Sequence, residues 1–178
     1  MKELIIFGRS PFINRLNLDR LDYTRFDTCC VNESLPQLKR IDNVVSADEF
    51  CKPHIKPESE WISKYTGWNI VKSEQTIQQP QRLSWKHLSS DLAVNFAIMK
   101  GYKTIYLAGV DLVEDVEPQF HYDGSLYKHR YRKETHQSEK EYIKQLAKDF
   151  NVNIYQLNPD SDWLEFRDIG IVENLADN

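Results

Sequence analysis

The segment LSSDLAVNFAIMKGYKTIYLAGVDL, residues Leu88–Leu112, is the most hydrophobic stretch of the chain and decides its fold class. Its first half predicts a helix that begins at Ser89 and Ser90, where serine is a common N-cap, and ends at Lys100 and Gly101. Apolar side chains surround the axis of this helix, which indicates burial on more than one side. The strand KTIYLAGVDL follows directly. A buried helix that leads into an apolar strand is half of a βαβ unit.

Other short apolar runs predict further strands. They are ELIIFG (Glu3–Gly8), DTCCVN (Asp27–Asn32), DNVVSAD (Asp42–Asp48), GWNIVKS (Gly67–Ser73) and VNIYQL (Val152–Leu157). A short helix is predicted from Pro11 with Ser10 as N-cap, and a longer one over Ser138–Phe150 with a capping box of Ser138 and Glu141. Strands that alternate with helices predict an α/β fold with a doubly wound, mostly parallel, Rossmann-like sheet. Residues 74–88 are instead predicted to form a long surface loop.

The bulk composition limits what the protein can be. A chain of 178 residues with 40% hydrophobic and 28% charged residues predicts one domain, residues 1–178, that buries its own core. The net charge of -4 argues against a nucleic-acid partner, although the basic run KHRYRK is a local exception. Cys29 and Cys30 lie within a predicted strand and are interpreted as buried thiols. With no apolar run of about 20 residues and no signal-peptide pattern, we expect a cytoplasmic protein without a membrane span.

Polar residues follow the predicted strands, begin the predicted helices or, in the case of Thr135 and His136, form a turn before the last predicted helix. They are Gly8, Arg9, Ser10, Asn32, Ser89, Ser90, Asp111, Thr135 and His136. Ligands of open parallel sheets bind at the carboxyl ends of the strands, so we expect these residues to face one crevice. Two alternatives stay open: Ser89 and Ser90 form a seat for a phosphate or carboxylate or only cap the helix, and Asp111 binds a ligand or only the nearby backbone.

Residues 114–137 are too long for a simple connection and predict a lid over that crevice. The segment is rich in residues that bind phosphates or transfer protons. The tyrosines are Tyr122, Tyr127 and Tyr131, the basic residues are Lys128, Arg130, Arg132 and Lys133, and the histidines are His121, His129 and His136. A solvated charged loop is the alternative interpretation.

Two segments carry a resemblance to a known family. SSDLAVNFAIMKGYKTIYLAGVDL and HQSEKEYIKQLAKDFNVNIYQLNPDS, about half of the chain, resemble the bacterial sialyltransferases of glycosyltransferase family 42 and the related Rossmann proteins that include a pterin diphosphokinase. In those sialyltransferases a Ser-Ser or Ser-Gly helix start precedes a Gly-Tyr-Lys-x-Ile-Tyr-Leu-x-Gly-Ile-Asp strand. The resemblance implies a sialyltransferase-type α/β fold.

The resemblance also implies roles for individual residues. The loop GRSPF (Gly8–Phe12) stands where the family has Gly-Asn-Gly-Pro-Ser against a cytidine nucleotide, and it departs from that pattern at Arg9 and Ser10. Asn32 matches an asparagine that contacts the nucleotide. By the same resemblance, Ser89 and Ser90 lie beside the ribose and phosphate.

The catalytic residues implied by the resemblance lie in or near the predicted lid. Tyr122 and Tyr127 resemble the pair of tyrosines that hold the leaving phosphate. His136 lies within two residues of the position of the general base, which removes the proton of the acceptor hydroxyl.

Three functions follow from these residues. The favoured one is a glycosyltransferase-like enzyme that uses a nucleotide-activated sugar of the CMP type. A Mg²⁺-dependent pyrophosphokinase acting on a small alcohol is an alternative, with Asp111, Glu114 and Asp115 as carboxylates near the metal. A non-catalytic module that binds a nucleotide or another anion is the third. No metal ligand is assigned, and the oligomeric state is left open.

Overall fold

The computed structural model describes residues 2–32, 38–46, 60–63, 69–72, 75–78, 88–112, 123–124 and 133–173, and their strands form one sheet. The strands are β1 (Glu3–Phe7), β2 (Phe26–Val31), β3 (Asn43–Ser46), β4 (Glu60–Ser63), β5 (Asn69–Lys72), β6 (Gln75–Gln78), β7 (Thr104–Ala108) and β8 (Asn153–Gln156). The helices are α1 (Ser89–Met99), α2 (Lys133–Asp149) and two 3-10 helices, Pro11–Arg15 and Leu18–Arg20. The order of the strands across the sheet is β6-β5-β4-β3-β2-β1-β7-β8.

The sheet is mostly parallel. Every pairing from β4 through β3, β2, β1 and β7 to β8 is parallel, whereas β5 and β6 join the β4 edge as antiparallel strands. The predicted α/β class with a mostly parallel sheet is therefore confirmed. The prediction of a surface loop over residues 74–88 is wrong at Gln75–Gln78, which form β6. Its sequence QTIQ contains a single apolar residue and is only four residues long, so it does not show as an apolar run.

The two faces of the sheet are covered differently. Alternate residues of a strand project to opposite faces, so Leu4 and Ile6 of β1 pack with α1 and α2, while Ile5 and Phe7 pack against the 3-10 helices. Part of the C-terminal segment, including Ile171, covers the second face as well. Both described α-helices thus lie on the same face. The doubly wound, Rossmann-like arrangement stays a prediction.

Both α-helices begin differently from the prediction. Leu88 is the N-cap of α1 and makes no capping hydrogen bond with its own side chain, so the predicted serine cap is wrong. The cause is that the hydroxyls of Ser89 and Ser90 donate their hydrogen bonds to other parts of the fold. Helix α2 begins at Lys133, so the predicted capping box at Ser138 and the predicted turn at residues 135–136 are wrong too.

The predicted lid over residues 114–137 overlaps the first turn of α2, since residues 133–137 are helical. Asp123 and Gly124 are the other lid residues that the structure describes. Tyr122 and Tyr127 lie outside the described residues, as do Glu114, Asp115 and the remaining tyrosines, histidines and basic residues predicted before Lys133. The boundary of the lid and the roles of these residues stay predictions.

Candidate functional site

The loops after β1 and β7 meet where the strand order changes direction. From this boundary the chain runs outward through β2 and β3 on one side and through β8 on the other. Such a switch point, outside the carboxyl ends of the strands, is where open parallel sheets bind ligands. Gly8 follows β1 and Gly109 follows β7, and a Cβ atom at Gly8 would lie 2.8 Å from the carbonyl carbon of Gly109. Two residues without side chains therefore let these loops approach each other.

Ser10 and Asp111 connect the same two loops. The Ser10 hydroxyl donates a hydrogen bond to a carboxylate oxygen of Asp111, and the Ser10 oxygen also accepts one from the backbone N–H of Phe12 at 3.1 Å. Ser10 is thus the N-cap of the first 3-10 helix, as predicted. Burial raises the pKa of Asp111, and hydrogen bonds from Ser10 and Asn158 oppose that increase. Asp111 is thus bonded by two side chains rather than by backbone groups in these contacts, and its role as a ligand-binding carboxylate stays a prediction.

Arg9 lies between Gly8 and Ser10 in the sequence and supplies a positive charge. One of its guanidinium nitrogens lies 3.5 Å from a carboxylate oxygen of Asp123, so it contacts the segment predicted as a lid. The Arg9 side chain is 23% exposed and that of Asp123 is 45% exposed. An ion pair this long and this accessible to water contributes little stability. This ion pair alone therefore holds the Arg9 guanidinium and Asp123 together only weakly.

Asn32, Ser46 and Ser89 form a second polar group at the same edge of the sheet. Asn32 follows β2, Ser46 ends β3 and Ser89 begins α1. The side-chain oxygen of Asn32 accepts hydrogen bonds from the hydroxyls of Ser46 at 3.0 Å and Ser89 at 2.7 Å. The expected proximity of Asn32 and Ser89 is present in the structure. Because β2 is the neighbour of β1, Asn32 follows the strand next to the one that leads into the loop of Gly8.

Glu139 of α2 binds the N-terminus of α1. Its carboxylate accepts hydrogen bonds from the Ser90 hydroxyl and from the backbone N–H of Asp91, the latter at 3.1 Å. At Ser90, where the sequence suggested a seat for a ligand's phosphate or carboxylate, the structure has a carboxylate of the same molecule, and a ligand seat there stays a prediction. Burial, together with the nearby charge of Asp91, raises the pKa of Glu139 to about 8. Glu139 and Asp91 are both fully buried.

His136 lies one turn before Glu139 on α2, on the side that faces α1 and the sheet. Its side chain is buried, with 6% of the residue exposed. Residues three apart on a helix are neighbours, so the link from Glu139 to Ser90 also places His136 near the start of α1. The described candidates thus form a series of polar groups at this edge of the sheet. Ser10 bonds Asp111, Ser89 bonds Asn32, and Ser90 bonds Glu139, which lies one turn from His136. Gly8 and Arg9 directly precede Ser10 in its loop.

Sequence reasoning missed Glu139 and Ser46. Glu139 precedes Ile143 and Leu146 at spacings of four and seven residues, which places it on the apolar stripe of α2. A carboxylate on that stripe was the available signal, because a buried charge requires partners. Ser46 ends a buried strand directly before the predicted crevice, and its position alone pointed to the site.

The described residues contain no cluster of three or more His, Cys, Asp or Glu side chains that could hold a metal ion. Cys29 and Cys30 are buried, as predicted, and form no disulfide bond within the described residues, while Cys51 lies outside them. Among the described helices, none has the length and apolar character needed to cross a membrane.

Solved structures of sialyltransferases share this fold. CstII from Campylobacter jejuni, in complex with the substrate analogue CMP-3FNeuAc, superposes with a TM-score of 0.58 at 15% identity, covering 98% of this chain and 91% of CstII. The sialyltransferase CST-II with a trisaccharide acceptor and CMP gives 0.55 at 16% identity, over 97% of this chain and 91% of that one. The monofunctional α-2,3-sialyltransferase Cst-I from Campylobacter jejuni gives 0.55 at 18% identity, over 90% and 77%.

No protein-family model matches the sequence, and no curated protein matches it either. The structural comparisons therefore show the fold, and they confirm at that level the resemblance read from the sequence. The chain has a sialyltransferase-like fold that extends over nearly its whole length.

Proposed function

We propose that the protein binds a cytidine nucleotide at the carboxyl edge of its sheet and acts as a glycosyltransferase with a CMP-activated sugar as donor. The observation that carries this proposal is the series of polar residues along that edge, within a fold that structures of CMP-bound sialyltransferases share. Polar groups from β1, β2, α1 and β7 converge there, which is how a parallel sheet builds a nucleotide site.

Each described candidate has a role in this proposal. Gly8, Arg9 and Ser10 lie beside the nucleotide in this proposal, and the Arg9 guanidinium binds its phosphate, since arginine binds phosphate oxygens through charge-assisted hydrogen bonds. Asn32 binds the nucleotide directly. Ser89 and Ser90 hold neighbouring groups in place, because each donates its hydroxyl hydrogen to another side chain.

The proposed reaction transfers the sugar from phosphate to an alcohol. The acceptor oxygen forms a bond to the anomeric carbon as the bond from that carbon to the phosphate oxygen breaks, and CMP leaves with the electron pair. His136 takes the proton of the acceptor hydroxyl. Tyr122 and Tyr127 are proposed to donate hydrogen bonds to the departing phosphate. The burial of His136 supports a proton transfer away from bulk water.

A nucleotide screen tests the binding step. A ligand that binds only the folded state raises the melting temperature according to its concentration and affinity. We expect CMP to stabilise the protein more than UMP, GMP or AMP at equal concentration. Hydrolysis or transfer of sugar from CMP-sialic acid, measured as released CMP, then tests the enzymatic step. Stabilisation without release of CMP would favour a non-catalytic nucleotide-binding module, and no stabilisation by any nucleotide would contradict the proposal.

The pyrophosphokinase alternative finds no specific support among the described residues. Asp111 is bound by Ser10 and Asn158, and the other two proposed carboxylates, Glu114 and Asp115, lie outside the described part of the chain. Mg²⁺-dependent consumption of ATP would revive it. A cytoplasmic location remains part of our proposal. The thiols of Cys29 and Cys30, which form no disulfide bond among the described residues, support it, because the cytoplasm keeps thiols reduced.

A further inference from the structure

Asn32 has an unusual backbone conformation for a residue at the end of a strand. Its φ is 56°, in the left-handed region that asparagine tolerates better than most residues with side chains. The backbone N–H of Asn32 donates a hydrogen bond to the carbonyl oxygen of Val45 at 2.8 Å. The turn is therefore tied to β3, and the Asn32 side chain starts from a fixed point at the carboxyl edge of the sheet.

The side-chain oxygen of Asn32 is fully used within the protein. An amide oxygen has two lone pairs, and here the hydroxyls of Ser46 and Ser89 each donate one hydrogen bond to it. The two serines belong to different elements, β3 and α1, so they fix the amide plane from two directions. Rotation of the amide would break both hydrogen bonds at once. The orientation of the Asn32 side chain is thus determined before any ligand arrives.

The side-chain nitrogen of Asn32 remains for other contacts. Among the described residues, none accepts a hydrogen bond from the Asn32 Nδ2 atom. Asn32 is half-buried, so part of the residue is accessible to a ligand. An amide nitrogen carries two N–H donors and cannot accept a hydrogen bond. A group that binds this nitrogen must therefore offer an acceptor, such as a phosphate oxygen or a carbonyl oxygen of a base.

We propose that Ser46 and Ser89 are positioning residues. Their two hydrogen bonds, here called the lock, fix the Asn32 amide so that only its N–H groups face the ligand, and Asn32 therefore selects an acceptor oxygen of the bound nucleotide. The inference rests on the proposed function for the identity of the ligand, and it goes further by fixing the polarity of the contact and assigning a role to Ser46. Ser46 is fully buried and acts through Asn32 without touching the ligand.

The Asn32→Asp variant tests the polarity. Aspartate has the same shape and can still accept hydrogen bonds from both serines, but it presents an oxygen where asparagine presents N–H groups. The variant loses one charge-assisted hydrogen bond, and its carboxylate oxygen repels the acceptor oxygen of the nucleotide. We therefore expect the affinity for CMP to decrease about 10-fold or more. Isothermal titration calorimetry with CMP measures it. Unchanged affinity in Asn32→Asp would overturn the proposal.

Ser46→Ala and a double-mutant cycle test the lock. We expect Ser46→Ala to weaken CMP binding several-fold, Asn32→Ala to weaken it more, and the double variant to bind no worse than Asn32→Ala, because residues that act through one another are not additive. Full additivity would contradict the role of Ser46. Thr28→Val is the matched control, since Thr28 is also a fully buried hydroxyl donor of the sheet but bonds Arg40 and Asp42. If Ser46→Ala fails to fold, Ser89→Ala takes its place in the cycle.

A measurement without ligand separates this inference from the proposed function. The ¹⁵N and ¹H resonances of the Asn32 side-chain amide report its hydrogen bonding in the free protein. They should shift in Ser46→Ala and in Ser89→Ala, and stay in place in Thr28→Val. If they do not respond, the lock is absent whatever the protein binds. If they respond and the wild-type protein does not bind CMP, the lock stands and the proposed function is wrong.

Discussion

The carboxylate of Glu139 accepts a hydrogen bond from the backbone N–H of Asp91 at 3.1 Å, so α2 provides the N-terminal cap that α1 lacks in its own sequence. The first N–H groups of a helix have no partner within the helix, and buried ones must find a partner elsewhere. The pair also joins the helix that carries His136 to the helix that carries Ser89. Stability and the geometry of the proposed site therefore depend on the same contact.

Replacement of Glu139 tests that dependence. Glu139→Ala leaves the Ser90 hydroxyl and the Asp91 N–H buried without their acceptor, which should lower the free energy of unfolding by about 2–4 kcal/mol. Glu139→Gln keeps an acceptor oxygen in place and should cost about 1 kcal/mol or less. Urea denaturation of the three proteins measures the difference. Equal destabilisation by both substitutions would show that the hydrogen bonds are not what holds the two helices together.

The pH dependence of stability follows from the same residue. The pKa of Glu139 in the folded protein is about 8, above its ordinary value of 4.5, because burial and the charge of Asp91 disfavour the ionised form. The folded state thus holds a proton that the unfolded state releases. This contribution is complete below the unfolded pKa and is lost as the pH rises through the folded pKa, with a slope of up to about 1.4 kcal/mol per pH unit between the two.

The Glu139→Gln variant isolates this effect. Glutamine does not titrate, so the wild type should lose free energy of unfolding relative to Glu139→Gln between about pH 5 and pH 8. Urea denaturation at several pH values gives the difference between the two proteins, in which the titration of other groups cancels. Parallel curves for the two proteins would mean that Glu139 is ionised across the whole range.

The α/β class and most of the sheet could be predicted, because a buried parallel strand needs a continuous apolar run. The segments ELIIFG and KTIYLAGVDL are such apolar runs. The expected proximity of Asn32 and Ser89 follows from the direction of the strands, because the carboxyl ends of parallel strands lie at one edge. The strand Gln75–Gln78 could not be found this way, because its four residues include only one apolar side chain. Neither could the partner of Ser90, since the contact with Glu139 arises only when α1 and α2 pack together.

Gly8 is required by packing in the loop that the sequence pointed to. A Cβ atom at Gly8 would overlap the backbone of Gly109, which cannot move without shifting β7, so Gly8→Ala should lower the free energy of unfolding by about 2 kcal/mol or more. Gly101→Ala is the control, because Gly101 has a positive φ but no atom within 4 Å of the added methyl group. Backbone strain alone should cost about 1 kcal/mol there. Thermal denaturation compares the two variants, and a smaller loss for Gly8→Ala would contradict the close approach of the loops.

Arg9 should decide how tightly an anionic ligand binds. Removal of its charge in Arg9→Ala is expected to lower CMP affinity about 10-fold, as for one charge-assisted hydrogen bond to phosphate. Asp123→Ala should raise the affinity a few-fold, because the ligand no longer competes with the carboxylate 3.5 Å away.

Calorimetric titrations at two salt concentrations measure both effects. Arg25→Ala is the control, since Arg25 pairs with Glu3 at the opposite, amino end of β1. If Asp123→Ala weakens binding, the ion pair supports the site rather than competes for it.

A crystal structure of the protein soaked with CMP tests the central claim most directly, namely that the carboxyl edge of the parallel sheet is a nucleotide site. We predict CMP over the ends of β1, β2 and β7, with its phosphate near Arg9 and an acceptor oxygen within hydrogen-bond distance of the Asn32 side-chain nitrogen. CMP bound on another surface, or a crevice that stays empty at millimolar CMP, would contradict the account.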